Sequence, residues 1–295
     1  MTRVRFPLPA PVPGRLSAWL SFVLSLVLLA TAGFAQAAPL VVIHGAAARV
    51  AVIPQAGRRD VAVMVLQTNR DLPIRVRRQG GRMVISGGLA RQVHACGGSS
   101  APGGVAIRGR GVFPMAALPR LVIYTPPEVR LLVGDAVFGV IGRSASVEMD
   151  RFGCGDWVIA DTRGRLHVDQ AGAGETRAGR AGSADLAVAG SGRIAVRAVA
   201  HGLTAISSGS GVLEVGALAG GPADLRIAGA GSVRIDSGAA SALSVSTAGS
   251  GGVRAAITAR SLTASVTGSG DVRVKAVTGP VARRTFGAGQ VLIGP

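Results

Sequence analysis

Three arginines, Arg234, Arg254 and Arg273, occupy equivalent places in successive copies of a repeat, each three positions beyond the second glycine of a Gly-x-Gly triplet. Arg177 holds the same place in an earlier copy, and Lys275 takes the next outward position after Arg273. If the copies stack, their cationic heads form a row along one face. Guanidinium groups so arranged offer paired donors to carboxylate or phosphate. An anion-binding stripe is one reading of the row. The other is a charged outer face that keeps sheet surfaces from pairing with other chains. Glu214 interrupts the row, and the residue types alone do not choose.

Catalytic constellations are harder to find. Asp150, Asp156 and Asp161 form the densest acidic group, with Cys154 between them. Paired carboxylates serve glycoside cleavage, but the acids of the repeat region fall at different phases of the repeat, which reads as solvated turn residues. His44, His94, His167 and His201 are isolated from one another, so neither a metal site nor a cofactor is expected. No Gly-x-Ser-x-Gly elbow occurs. The triplets also fail as a dinucleotide loop, because Arg177, Ala195 and Arg273 stand where a third glycine belongs. Cys96 and Cys154 are the only cysteines; in an oxidising compartment the pair suggests one disulfide, two free thiols being the alternative.

The elements that would position these groups follow from the phase of the glycines. Triplets begin at 153, 172, 190, 209, 229, 249, 268 and 287, at nearly equal intervals. In the last six copies the glycine pairs are Gly190 and Gly192, Gly209 and Gly211, Gly229 and Gly231, Gly249 and Gly251, Gly268 and Gly270, and Gly287 and Gly289. Apolar residues alternate on both sides of each triplet, as in Leu225, Ile227, Val233 and Ile235, which is the period of a half-buried strand. Short strand pairs at a period of about 19 residues read as an all-β solenoid, a β-helix. Stacked strands lie about 4.8 Å apart, so eight or nine rungs make a rod of roughly 40 Å. The segment "VGDAVFGV" (133–140) reads as a degenerate ninth rung. The residue after each triplet varies from Asp156 to Arg193 to Gly252, which excludes a calcium-binding ladder and makes the glycines corner punctuation.

Three segments are expected. Residues 1–37, with Arg3, Arg5 and Arg15 before an apolar run and Ala35-Gln36-Ala37 at its end, read as a secretory signal peptide cleaved after Ala37. Residues 38–130 form a strand-rich lead-in, broken by a loop at "LARQVHACGGSSAPGG", and residues 131–295 are the repeat. The whole chain carries a net charge of +17; without the leader it keeps 29 basic and 15 acidic residues, a balance of +14. Such a charge favours anionic envelope polysaccharide or lipopolysaccharide as partners. Nucleic acid is disfavoured, because only 3% of residues are aromatic and could stack on bases. Self-association through the solenoid ends is a further expectation, since an open edge can pair with another chain.

The order "ARVAVIP", "DVAVMVL", "RMVISGG", "LVIYTPP", then "GSGRIAV", "GSGVLEV" and "GSGDVRVKAVTGPVARRTFGAGQVLIG" resembles the putative auto-transporter adhesin, head GIN domain family. The resemblance covers most of residues 40 to 294. It implies a right-handed, single-strand β-helix of bacterial envelope proteins, with no catalytic site to transfer. The expectation is therefore a non-enzymatic, exported solenoid, periplasmic or at the cell surface, that serves adhesion, scaffolding or the binding of anionic surface polymers. A carbohydrate-active β-helix with carboxylates on neighbouring rungs is the alternative.

Overall fold

A computed structural model describes residues 38–97 and 101–294 of the chain. The leader expectation falls on residues 1–37, outside the described residues. Residues from Ala38 onward form one compact unit. Most of it is strand, and among the described residues there is a single 3-10 turn at Met115–Ala117. Among the described residues no helix is long and apolar enough to cross a membrane.

Parallel pairing between coils builds the stack. Two strands, β1 (Leu40–His44) and β2 (Ala47–Pro54), form the first coil in sequence. The chain then leaves the stack through β3 (Ala62–Gln67), β4 (Arg75–Gln79), β5 (Arg82–Ser86), β6 (Val93–Gly97), β7 (Ala101–Ile107), β8 (Gly111–Pro114) and β9 (Arg120–Thr125). It rejoins as β10 (Glu128–Ile141), and Val41 faces Leu131 and Val50 faces Gly139 across a separation of about 90 residues. On their other side β1 and β2 pair in parallel with β5 and β9, so the first coil in sequence lies inside the stack. Antiparallel β4 on β5 and β3 on β9 cover that end.

From β10 on, about nine turns follow, stacked about 19 residues apart. They run through β11 (Ser146–Gly153), β12 (Trp157–Ile159), β13 (Thr162–Gly172), β14 (Glu175–Gly190) and β15 (Arg193–Gly209). The later turns are β16 (Val212–Ala219), β17 (Pro222–Gly229), β18 (Ser232–Ile235), β19 (Gly238–Ala240), β20 (Ala242–Gly249) and β21 (Gly252–Ala259). The last are β22 (Leu262–Gly268), β23 (Val272–Val277), β24 (Val281–Gly287) and β25 (Val291–Ile293). The all-β solenoid is thus the observed architecture.

Alternation along each strand explains the core. Leu225, Ile227, Val233 and Ile235 point inward and are buried, while Arg226 and Arg234 between them stay outside. Their equivalents on the coils above and below merge into one continuous hydrophobic column. Removing such branched aliphatic surface from water stabilises by about 25 cal/mol per Å². Trp157 enters the column because Gly139 on the preceding coil leaves room: a Cβ there would lie 2.4 Å from the indole ring. The indole Nε1–H donates to the Val137 carbonyl at 2.9 Å.

The two glycines of a corner serve different needs. Gly268 has φ +115°, outside the range of ordinary side chains. Gly270 has no such φ, yet a Cβ on it would stand 1.9 Å from the Gly251 carbonyl oxygen of the next coil. The N–H groups of the corners are spent within the stack: Ser210 donates to Gly190, Ser250 to Gly229 and Ser269 to Gly249, each at 3.0 Å. These amides are unavailable for cradling an anion, so the triplets act as corners. In "VGDAVFGV" the corner is made by Asp135, which faces Gly153 and keeps the positive φ (+66°) without a glycine. Its carboxylate accepts the Gly45 N–H at 2.6 Å, which ties the first coil to the next.

The stretch read as a loop around Cys96 contains strand instead. β6, β7 and β8 form a separate antiparallel sheet with a small core of its own, including Leu72, Leu89, Val105, Ile107 and Leu118. Its Val and Ile residues alternate over a segment too glycine-rich to show the period clearly. Cys96 is bonded to Cys154, Cα to Cα 5.6 Å, which ties this sheet to the first regular Gly-x-Gly corner.

Candidate binding surfaces

The arginine row is assembled by register. Arg234 faces Arg254, and Arg254 faces Arg273, on three successive coils. Glu214 precedes them in the row and Leu292 follows. Arg177 joins the row on an earlier coil, next to Val158. All of these arginines and Lys275 are exposed. Most of the charge is nevertheless answered along the strand. Arg234 bonds Asp236, Arg273 reaches Asp271 at 3.3 Å, and Arg177 reaches Glu175 at 2.5 Å. Among the described residues only Arg254 and Lys275 of this group lack an acidic partner. Hydrogen bonding to Asp236 raises the Arg234 pKa further above its ordinary range.

Acidic residues that look scattered in phase do include a matched pair. Asp150 faces Asp169 on adjacent coils, and His167 lies two positions before Asp169 on the same strand. One oxygen of each carboxylate and an imidazole nitrogen all lie within 4.8 Å of one another. His167 is therefore not isolated: its Nε2 is 3.5 Å from Asp169 and 4.0 Å from Asp150. Burial first, and the facing Asp169 charge second, push the Asp150 carboxyl above its ordinary pKa. The neighbouring acids are neutralised, Glu148 by Arg130 at 3.0 Å and Asp185 by Arg165 at 2.5 Å. A shallow groove of about 410 Å³ beside the pair is floored by Phe152, Ala171, Ala187 and Ile206. The signal is present in the sequence, since positions 150 and 169 are one repeat apart.

Asp156 and Asp161 have other tasks. Asp156 accepts the Glu175 N–H at 2.8 Å, and Asp161 accepts the Arg180 N–H at 2.8 Å and pairs with Arg180 and Arg197. The three aspartates of the cluster therefore do not frame one pocket.

A buried polar group escapes the sequence reading altogether. Arg151 is 4% exposed and donates to Gln170 Oε1 at 3.0 Å, Thr176 Oγ1 at 2.8 Å and the carbonyls of Glu175 and Gly155. Desolvation lowers its pKa to about 10. Gln170 and Ser207 occupy the equivalent inward position on later coils, and Ser207 donates to the Gly211 carbonyl at 2.9 Å. Polar residues beside a corner thus satisfy carbonyls that point inward.

The strongest concentration of charge lies elsewhere. Residues 55–127, which leave the stack and return, contain 11 arginines and 2 aspartates, a balance of +9. The remaining described unit contains 18 basic and 13 acidic residues, a balance of +5. Every residue of β4, with Arg75, Arg77 and Arg78, is exposed. Arg78 donates to the Val61 carbonyl at 2.8 Å, which places β4 beside the approach to β3.

No protein-family model matches the sequence, the head GIN domain included, and no curated protein matches it. Solved structures do match. A putative lipid binding protein from Parabacteroides distasonis aligns with a TM-score of 0.53 at 15% identity, over 87% of this chain and 92% of that one. A putative adhesin from the same organism aligns at 0.48 and 16% identity, over 86% and 91%. Another putative adhesin, from Bacteroides fragilis, aligns at 0.42 and 13%, over 86% and 91%. At 15% identity and a TM-score of 0.53, what the chain shares with the first of these proteins is its fold.

Proposed function

We propose that the protein is a non-catalytic, exported binding protein of the bacterial envelope, a rigid rod that attaches to anionic surface polymers. The observation that carries this reading is the +9 balance of residues 55–127, with Arg75, Arg77 and Arg78 exposed on β4 and free of acidic partners among the described residues. Unanswered guanidinium groups on a fixed strand attract polyanions and bind carboxylate or phosphate with paired donors. A neighbour of similar fold named as a putative lipid binding protein supports a binding role. The arginine row is the secondary contact, because acids two positions away already occupy Arg234 and Arg273.

The test is equilibrium binding of residues 38–295 to acidic and neutral bacterial polysaccharides and to lipopolysaccharide, at low and physiological salt. Arg75, Arg77 and Arg78 changed together to serine should abolish binding to an acidic polymer, while the same change at Arg234, Arg254 and Arg273 should weaken it. Binding confined to low salt, or surviving both triple variants, refutes the reading.

A second reading rests on the Asp150 and Asp169 carboxylates, whose ligand oxygens come within 4.8 Å of each other and of His167 beside a groove. Carboxylates about 5 Å apart serve retaining glycoside cleavage. Release of reducing sugar from an envelope polysaccharide, lost on Asp150→Asn and on Asp169→Asn, would replace the binding reading with an enzymatic one.

A further inference from the structure

The row that holds Arg234, Arg254 and Arg273 changes character toward the other end of the stack. Followed by register, Arg177 faces Val158, Val158 faces Val140, Val140 faces Ala51, Ala51 faces Val122 and Val122 faces Met64. Met64, Val140 and Val158 are each about half exposed, at 50%, 50% and 49%. Apolar side chains left in water along five consecutive strands mark a surface meant to be covered.

This apolar stretch is a groove with a charged end. About 380 Å³ of space lies over Ala51, Val122, Phe138 and Val140, and Leu66 forms one wall. Arg49 and Arg120 face each other on adjacent coils in the neighbouring outward row and line the same groove. Neither is in an ion pair among the described residues, and the Arg49 Nε atom is buried without any acceptor. A buried N–H without an acceptor is rare, and an anion is the partner it lacks.

We propose that this groove binds a single-chain anionic amphiphile, its carboxylate or phosphate head on Arg49 and Arg120 and its acyl tail laid across the coils toward Val158. From Val122 to Val158 there are three coil spacings of about 4.8 Å each, an apolar track of roughly 14 Å. Among the residues that line the groove the positive charge is all at one end, which suits an anionic amphiphile and not a uniformly charged polymer. Asp156, at the side away from the arginines, repels a head placed there and sets the direction of the ligand. An added β-strand is not the occupant, because the groove crosses strands whose backbone groups are already paired on both sides.

The inference is independent of the polymer reading, since it uses neither β4 nor Arg234, Arg254 and Arg273. The test is calorimetric titration of residues 38–295 with dodecanoate and dodecyl phosphate below micelle formation. Dodecyl maltoside, inorganic phosphate and phosphatidylglycerol vesicles serve as comparison probes. One molecule of either anionic amphiphile should bind per protein, with phosphate alone and the neutral detergent at least tenfold weaker. Val140→Asp and Arg120→Gln change exposed side chains, so both should melt like the parent; each should weaken binding at least tenfold. Arg49→Gln should do the same, while the triple serine change at Arg234, Arg254 and Arg273 should leave binding unaltered. Equal affinity for dodecyl maltoside, unchanged binding by folded Val140→Asp, or binding to vesicles without binding to the monomeric amphiphiles would overturn the proposal.

Discussion

The regular coils and the excursion at residues 55–127 handle charge by opposite means. In the coils many cations are answered, either two positions away along the chain, as in Arg226 with Asp224 at 2.5 Å and Arg273 with Asp271 at 3.3 Å, or from a neighbouring coil, as in Arg130 with Glu148 at 3.0 Å and Arg165 with Asp185 at 2.5 Å. In the excursion 11 arginines share 2 aspartates, and the one ion pair among its described residues is Arg58 with Asp60 at 2.8 Å. Stacking is the physical cause. Every outward residue of a coil lies about 4.8 Å from its equivalents above and below, and like charges directly opposite destabilise a sheet. Arg234, Arg254 and Arg273 are tolerated as a row because acids beside two of them dilute the repulsion. Outside β5 and β9, which stack on the first coil, the excursion has no repeated neighbours, so its arginines accumulate freely there, while Arg120 on β9 faces Arg49. Net charge is thus concentrated in the excursion, +9 against +5 for the rest, although Arg254 and Lys275 within the repeat also lack an acidic partner among the described residues.

That contrast can be tested from the strongest expected effect downward. Changing Cys96 and Cys154 together to serine should cost about 4 kcal/mol, from the chain entropy of the loop they close, with a sequence separation of 58. Hydrogen exchange should show the loss in β6 to β8, with the coils still protected. Equal loss of protection in the coils would make the two regions one cooperative unit and break the distinction. Next, Gly270→Ala should cost about 2–3 kcal/mol by overpacking, because its Cβ meets the Gly251 carbonyl at 1.9 Å. Gly80→Ala, at φ +56° with open space around it, should cost only about 1 kcal/mol. Urea denaturation of the two variants checks this, and equal costs would mean that stacking adds nothing to the corner.

The smallest effect expected is one of pH. Asp150 has its carboxyl raised by burial and by Asp169, so its charged form is disfavoured in the folded coil. That penalty is present above the folded pKa and disappears as pH falls through it. Asp150→Asn should therefore raise the melting temperature slightly at neutral pH, and the gain should vanish in the acid range. Glu148 has the opposite sign, because the hydrogen bond from Arg130 lowers its pKa. Its contribution is present above the ordinary carboxylate pKa and is lost as pH falls through the folded value. Glu148→Gln should lower the melting temperature at neutral pH and match the parent at low pH.

The regular coils are legible in the sequence because their corners repeat a pair of glycines for steric reasons, and the coil whose corner is Asp135 is the one that reads as degenerate. Val233, Val253 and Val272 mark the inward phase in plain sequence and all three are buried. The arginine row is readable across coils, but its neutralisation shows only along the strand, where "VRID" and "DVRV" hold the acids. The Asp150 and Asp169 pair disappears when the acids are taken as one set, because a single matched pair is lost among unmatched ones. Arg151 cannot be found from residue type, since an arginine at an inward position contradicts the alternation that defines the strand. The pairing of residues 38–54 with 128–141 is hidden for a different reason. Period is a local signal, and the excursion inserted at residues 55–127 erases it.

The placement of that first coil has a consequence for the order of assembly. Each later coil meets its neighbour after a single turn, about 19 residues of chain, which is a short loop to close. The first coil, made earliest by the ribosome, finds β10 only about 90 residues later and its other neighbours, β5 and β9, after about 40 and 70. Entropy favours the short closures, so the stack should nucleate among the regular turns and grow backwards to the beginning of the chain. Cys96 and Cys154, 58 residues apart, close a shorter loop than the pairing of β1 with β10 or of β2 with β9. The same entropy ranks this closure after the regular turns and before the pairing of β1 with β10, an order that the time course of thiol loss in a refolding chain would read out.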